Sequence, residues 1–270
     1  MNVVSYGGGT NSTAMLIGMY LHRIPVDLIM FADPGGEHPH TYEYIKIFNE
    51  WLKEHSMPEI EIVFATDKDG ERIRLYEECY MRKTLPPIAF GYKTCSQKYK
   101  TTPQDKRLNH DERCRAVWES GEKVTKWIGY DAGETARVQC AKAYDLKDKK
   151  YQRRFPLYEW GWDRAECRRV IEREGIPLPG KSSCFFCPSM KKAEIIALYE
   201  ESPKLFAKAV ALEQNTEGLD TVKGLGRGWA WSEMIKTYLQ NKEFDESQIS
   251  LFADMGLSCG CIDPCGCYDG

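Results

Sequence analysis

The chain has 270 residues, with 37 lysines and arginines against 40 aspartates and glutamates, a formal charge of −3. That balance excludes a histone-like polycation, and 42% hydrophobic residues supply a core and exclude a disordered chain. No apolar run reaches the roughly 18–20 residues of a membrane span, and MNVVSYGGG lacks the basic and long apolar segments of a secretory signal. A soluble cytoplasmic protein with no membrane partner is expected.

Residues 1–6 form a short β-prone run that stops at Gly7-Gly8-Gly9. From Ser12 to about His22, Met15, Leu16, Met19 and Tyr20 recur at helical spacing, and Pro25 breaks the pattern. Val26 to Phe31 reads as a second strand, Pro39 to His55 as a helix with Ile45, Phe48 and Leu52 on one stripe, and Glu59 to Ala65 as a third strand. This β-α-β-α-β alternation predicts an α/β fold with a doubly wound, mostly parallel sheet. Val124 to Tyr130 is a further strand. Asp163, with Glu166 three residues on, starts a helix that Gly175 and Pro177 end. Helices predominate from Lys191 to about Gln240, interrupted by the glycine-rich stretch 223–228, after which Trp229 and Trp231 suit either base stacking or a helix core. The expected division is a nucleotide-binding domain over 1–190 and a helical extension with a Cys-rich tail over 191–270.

The loop Ser5-Tyr6-Gly7-Gly8-Gly9-Thr10-Asn11-Ser12 joins a strand to a helix. Consecutive glycines let backbone N–H groups approach a ligand, and the helix N-terminus adds free N–H groups that suit phosphate. The spacing is neither the Walker nor the dinucleotide pattern. The loop resembles the pyrophosphatase (PP) loop of the adenine-nucleotide α-hydrolases, in the form S-F-S-G-G-K-D-S of the phosphoadenosine phosphosulfate (PAPS) reductase-like branch. It departs at Gly7, Thr10 and Asn11, where that pattern has serine, lysine and aspartate. Four further segments resemble the same branch in order: Phe31 to Pro39 with Thr41-Tyr42, Thr94 to Lys100 with Pro103, Gly129 to Thr135 with Arg137, and Phe155-Pro156-Leu157 with Trp160. The resemblance spans about residues 1–190 and implies a Rossmann-related nucleotide-binding fold. It implies ATP or another adenine nucleotide on Ser5, Gly7, Gly8, Gly9, Thr10, Asn11, Ser12, Asp33 and Gly129. Asp33, at the end of the second strand, would hold ribose or Mg2+. Asp33, Lys98 and Arg137 are the catalytic candidates, and Lys98, Lys100 and Arg137 would contact phosphate.

Eleven cysteines, an odd number, argue against a secreted disulfide scaffold. Cys184-Phe185-Phe186-Cys187 has the spacing of a metal knuckle or a redox dithiol. In iron–sulfur members of the branch, an earlier cysteine pair joins such a knuckle around a [4Fe–4S] cluster. Here Cys95 matches and Thr94 takes the place of its neighbour. The resemblance therefore implies Cys95, Cys184 and Cys187 as metal ligands, for a cluster one cysteine short or, alternatively, for zinc. Cys259, Cys261, Cys265 and Cys267 would bind their own zinc, supply a fourth ligand, or act as a redox arm. Cys79, Cys114, Cys140 and Cys167 are read as structural.

Three functions fit this reading. The first is an ATP pyrophosphatase-type sulfurtransferase that adenylates an acceptor and then thiolates it. Its acceptor would be a nucleic acid, with Lys147, Lys149, Lys150, Arg153 and Arg154 as a basic stretch, and its sulfur would come from an unidentified donor protein. The second is a PAPS or adenosine phosphosulfate reductase with a cysteine nucleophile and an electron donor protein. The third is a non-catalytic, metal-stabilised nucleic-acid-binding protein.

Overall fold

A computed structural model describes residues 1–92, 94–218 and 222–254, with side chains through residue 243. Five strands, β1 (Asn2–Tyr6), β2 (Leu28–Ala32), β3 (Ile60–Val63), β4 (Val124–Ile128) and β5 (Tyr151–Arg154), form one sheet in the order β3-β2-β1-β4-β5. Every neighbouring pair is parallel, and the register sets Tyr6 beside Phe31 and Ser5 beside Ile128. The α/β class and the parallel sheet are as the alternation predicted. The fifth strand is not: it includes Arg153 and Arg154 of the basic stretch, and three of the five cations of that stretch bond within the fold. Arg154 meets Glu159 at 2.5 Å, Arg153 meets Asp145 and Asp148, and Lys150 reaches Asn109 at 2.7 Å.

The helices are α1 (Thr10–Leu21), α2 (Pro39–Glu54), α3 (Leu75–Met81), α4 (Thr94–Ser96), α5 (Thr102–Asn109), α6 (Glu112–Glu119), α7 (Thr135–Asp145), α8 (Pro156–Glu159), α9 (Arg164–Arg173), α10 (Lys192–Glu201), α11 (Pro203–Gln214) and α12 (Trp231–Asp254). A π-helical turn, Gln97–Thr101, joins α4 to α5. Asp163 caps α9 as its sequence predicts, its Oδ1 accepting from the Glu166 N–H at 2.7 Å.

Two apolar layers cover the sheet. Met15, Leu16 and Met19 of α1, Phe48 and Leu52 of α2, and Val170 and Ile171 of α9 pack on one face, while Leu108 and Cys114 close the other. From Ser12 to Met19 every residue of α1 is buried, so this helix is a core element between the sheet and α9. A third cluster combines Leu75 and Cys79 of α3, Phe185, Phe186 and Met190 after the Cys184 turn, and Ile195, Leu198, Phe206, Leu212 and Trp231 of the C-terminal helices. The division expected at residue 190 thus falls inside one apolar cluster. Trp231 is core, and Trp229 lies half-buried with Lys192 over its ring.

The glycine-rich stretch 223–228 is organised by Glu213, a buried carboxylate on α11. It accepts from the Leu225 and Trp231 N–H groups at 2.9 Å and from the Ser232 hydroxyl at 3.0 Å. Glu213→Gln presents an amide N–H2 to these donors. It should lower the unfolding free energy by about 2 kcal/mol, the typical cost of a lost charged hydrogen bond plus an unsatisfied buried donor. Denaturant unfolding of the two proteins measures the difference, and equal midpoints would refute the anchoring role.

Candidate functional site

In an open parallel sheet, ligands bind beyond the carboxyl ends of the strands where the strand order reverses. Here the chain runs outward from β1 to β2 and β3, then crosses back to place β4 on the other side of β1. The reversal point is the crevice between the β1 and β4 ends, occupied by the glycine loop and by Gly129–Asp131. Gly8 sits at φ +72, and a Cβ there would stand 2.9 Å from the Thr41 methyl and 3.1 Å from the Phe31 ring, so only glycine fits. A Cβ on Gly129 would lie 3.1 Å from the Asn11 carbonyl carbon and the Ser12 nitrogen. The bare backbone at 129 is what lets the β4 turn close against the first turn of α1.

The cleft so formed has a volume of about 590 Å³. Ser5, Gly7, Gly9, Thr10, Asn11, Ser12, Gly129 and Arg137 line it, which brings together most of the residues expected to hold a nucleotide. Gly8 shapes the loop from beneath. Ser12 turns its hydroxyl back to the Gly9 carbonyl at 3.0 Å, and the Thr13 N–H bonds the same carbonyl at 3.1 Å, which fixes the helix start. The cleft is completed by Asp131 and Glu134, within the segment Gly129 to Thr135, and by Arg164, Lys181 and Ser182, which the sequence did not single out. Asn11 bridges two of them, donating to Asp131 at 2.9 Å and accepting from Arg164 at 3.0 Å. Arg164 and Lys181, the latter paired with Glu194 at 2.6 Å, therefore place cations beside a loop whose own sequence, with Thr10, has none. The Gly180-Lys181-Ser182 triplet was the one local signal for this, legible only once it lies against the glycine loop.

Three predicted residues, Asp33, Lys98 and Lys100, lie elsewhere, Lys100 paired with Glu37 at 3.1 Å in a neighbouring cavity. Asp33 is buried at the end of β2, and its carboxylate is already used: it accepts from the Gly35 N–H at 2.7 Å, the Tyr42 hydroxyl at 2.9 Å and Arg72 at 2.6 Å. It does not line the cleft. Lys98 pairs with Glu78 of α3 at 2.6 Å and lines a separate cavity beside Cys79 and Tyr99. Arg137 lines the cleft, pairs with Glu134 and stacks its guanidinium 4.0 Å over the Tyr130 ring.

Cys95, Cys184 and Cys187 line one cavity of about 460 Å³ that adjoins the cleft, with Arg137, Lys181 and Ser182 forming a wall common to both. The Cys184 turn is closed by the Cys187 N–H on the Cys184 carbonyl at 3.0 Å. It is tied to the sheet edge by the Phe185 N–H on Gly36 at 2.8 Å and by a bridge between Glu37 and Cys184. The buried Glu37 carboxylate accepts from Lys100 and from Ser182, both at 3.1 Å. Burial and the Glu37 charge push the Cys184 thiol well up, and burial also raises Cys187. Burial opposes the charge on Lys100, but Glu37, Cys184 and Cys187 together outweigh it and the pKa is raised. Among the described residues, no three His, Cys, Asp or Glu side chains are already drawn together to hold a metal ion. The donor chemistry nevertheless suits a thiophilic group. Three thiols face the cavity, no carboxylate or imidazole lines it, and Lys100, Arg137 and Lys181 would offset the charge of thiolates. The remaining cysteines separate clearly. Cys79, Cys114 and Cys167 are buried, with thiols pushed by desolvation to about 12, 11 and 12, whereas Cys140 is exposed on α7. Cys259, Cys261, Cys265 and Cys267 lie outside the described residues.

No helix among the described residues is long and apolar enough to cross a membrane. No protein-family model matches the chain, and no curated protein matches it in sequence. Among solved structures, it is similar to the U34-tRNA thiolase NcsA from Methanococcus maripaludis with its [4Fe-4S] cluster. The identity is 18% and the TM-score 0.41, over 83% of this chain and 75% of that one.

Gly129→Ala should fold yet wedge the β4 turn away from α1. ATP affinity should then fall about tenfold, equivalent to one lost phosphate hydrogen bond of about 1.5 kcal/mol. Calorimetric titration of both proteins checks this, and unchanged affinity would remove the cleft as the nucleotide site.

Proposed function

We propose that this chain is an ATP pyrophosphatase-type sulfurtransferase: it adenylates an acceptor and replaces the activated oxygen with sulfur. The observation that carries this reading is the common wall of Arg137, Lys181 and Ser182 between the glycine-loop cleft and the three-cysteine cavity. A site that only bound nucleotide would not need thiols next door, and a site that only held metal would not need the loop.

In the first step an acceptor oxygen attacks the α-phosphorus of ATP. The bond between the α-phosphorus and its bridging oxygen breaks, and pyrophosphate leaves. The α1 N-terminus and the glycine-loop N–H groups hold the phosphates. Lys181, Arg164 and Arg137 stabilise the charge that develops on the leaving group. Asp131 and Glu134 are the carboxylates lining the cleft, and they would hold Mg2+ there in exchange for their present bonds to Asn11 and Arg137; Asp33 is a positioning residue that holds the β2 turn through Arg72 and Tyr42. In the second step a hydrosulfide equivalent from the cysteine cavity attacks the adenylated carbon. AMP departs with the original oxygen, a proton goes to solvent, and no electron is transferred. Cys95, Cys184 and Cys187 would hold a [4Fe–4S] cluster or, alternatively, zinc, either of which supplies a soft Lewis-acidic centre for sulfide. Lys100, locked onto Glu37, keeps a fixed positive charge beside those thiols.

Anaerobic incubation with Mg2+-ATP, an acceptor pool and sulfide should release AMP and pyrophosphate in equal amounts. Lys181→Ala should lower that rate about 100-fold, the scale of losing one stabilising donor. A thiosulfonate adduct formed from PAPS, with no pyrophosphate from ATP, would instead establish the reductase chemistry. The metal assignment has its own test. Protein purified without oxygen should be brown and contain acid-labile sulfide, and Cys184→Ala or Cys187→Ala should bleach it while Cys114→Ala should not. A colourless protein with stoichiometric zinc would replace the cluster by zinc.

A further inference from the structure

A third cavity, of about 670 Å³, opens on the far side of Arg137, over the ends of β4 and β5. Lys100, Lys126, Arg137 and Arg153 line it, and no carboxylate does. Each cation is paired with an acidic residue outside that lining: Lys126 with Asp105, Arg153 with Asp145 and Asp148, Arg137 with Glu134, and Lys100 with Glu37. These pairings cancel the bulk charge of the region. They also fix the N–H donors in place, so the wall selects an anion through pre-organised hydrogen bonds and not through a long-range field. Two tyrosines stand among the cations, and Tyr144 on α7 leaves 67% of its surface in solvent. Donors for phosphate beside an exposed aromatic face are the chemistry that recognises an unstacked nucleotide.

The location adds an independent constraint. In a two-step transfer the acceptor must touch the nucleotide first and the sulfur second. This cavity shares Ser5, Ile128, Tyr130 and Arg137 with the glycine-loop cleft, and Ser96, Lys100 and Arg137 with the cysteine cavity. The cavity beside Cys79 shares wall residues with the cysteine cavity but none with the cleft. We infer that the third cavity seats the acceptor, as one nucleotide of a single-stranded nucleic acid, with its phosphate against the cations and its base against Tyr144. This inference rests on the ATP-dependent transfer proposed above.

Cys140 is exposed and lines the same cavity, so its alkylation reports occupancy. The full chain, saturated with a non-hydrolysable ATP analogue, is treated with N-ethylmaleimide with or without a short single-stranded RNA or DNA of mixed sequence, and labelling is read peptide by peptide. The strand should slow alkylation of Cys140 about tenfold. Tyr144→Ala, which removes the stacking face, and Ala141→Glu, which adds a carboxylate to the wall, should each weaken strand binding about tenfold by fluorescence anisotropy. Unaltered Cys140 labelling, or wild-type strand affinity in both variants, would overturn the site. Equal protection by duplex or by a free mononucleotide would overturn the ligand class. Binding of the ATP analogue to the wild-type protein is measured in parallel. Its failure would overturn the transfer reading itself, whereas normal analogue binding without Cys140 protection would leave that reading intact and remove only the acceptor site.

Discussion

Two backbones approach closely at the reversal point of the sheet, where the turn after β4 lies against the first turn of α1, and the site depends on that contact. It is possible because position 129 carries no Cβ, and it holds because α1 is buried along almost its whole length between the sheet and α9. A helix fixed in this way cannot tilt to relieve a wedge at its N-terminus. The glycine loop and Gly129 therefore meet at a spacing set by the core, and the free N–H groups of α1 face a cleft of fixed width.

A second constraint brings three thiols beside that cleft. The Cys184 turn belongs by packing to the C-terminal helices, through Phe185, Phe186 and Met190. It is bound to the sheet edge by backbone bonds to Gly36 and by the buried Glu37, which gathers Lys100 and Ser182. One carboxylate thus links the turn after β2, the π-helical turn and the loop before Cys184. Ion pairs of this kind are costly to bury and add little net stability, but a partner lost from one leaves an uncompensated charge. The consequence at this site is positional: three elements far apart in sequence are held around the same few ångströms, with Arg137 standing where three cavities meet.

The residues explain which parts of this arrangement were legible in the sequence. Apolar periodicity is local, so the first three strands, α1, α2 and the Asp163-capped α9 could be read directly. The glycine loop was legible because bare backbone between a strand and a helix has few other uses. The fifth strand was not, because Tyr151–Arg154 is rich in charge, and its arginines are accommodated by Asp145, Asp148 and Glu159 only in the folded chain. Asp33 and Lys98 stood at positions that looked right for a nucleotide. Their actual partners, Arg72 and Glu78, lie 39 and 20 residues away and take up their charge.

The cysteines show the same division. Spacing alone pointed to Cys184 and Cys187 as a pair for metal or redox chemistry, and the odd total of eleven cysteines spoke against a disulfide scaffold while leaving metal, sulfur chemistry and plain buried thiols open. Only the tertiary structure decided that Cys95 faces that pair across one cavity, that Cys140 is exposed while Cys79, Cys114 and Cys167 are sealed in the core, and that Arg164 and Lys181 supply the charge missing at Thr10. The reason is physical. A strand, a cap or a knuckle is specified by neighbours within a few residues, whereas a wall common to two cavities is specified by the order in which strands join the sheet and by what the core lets approach.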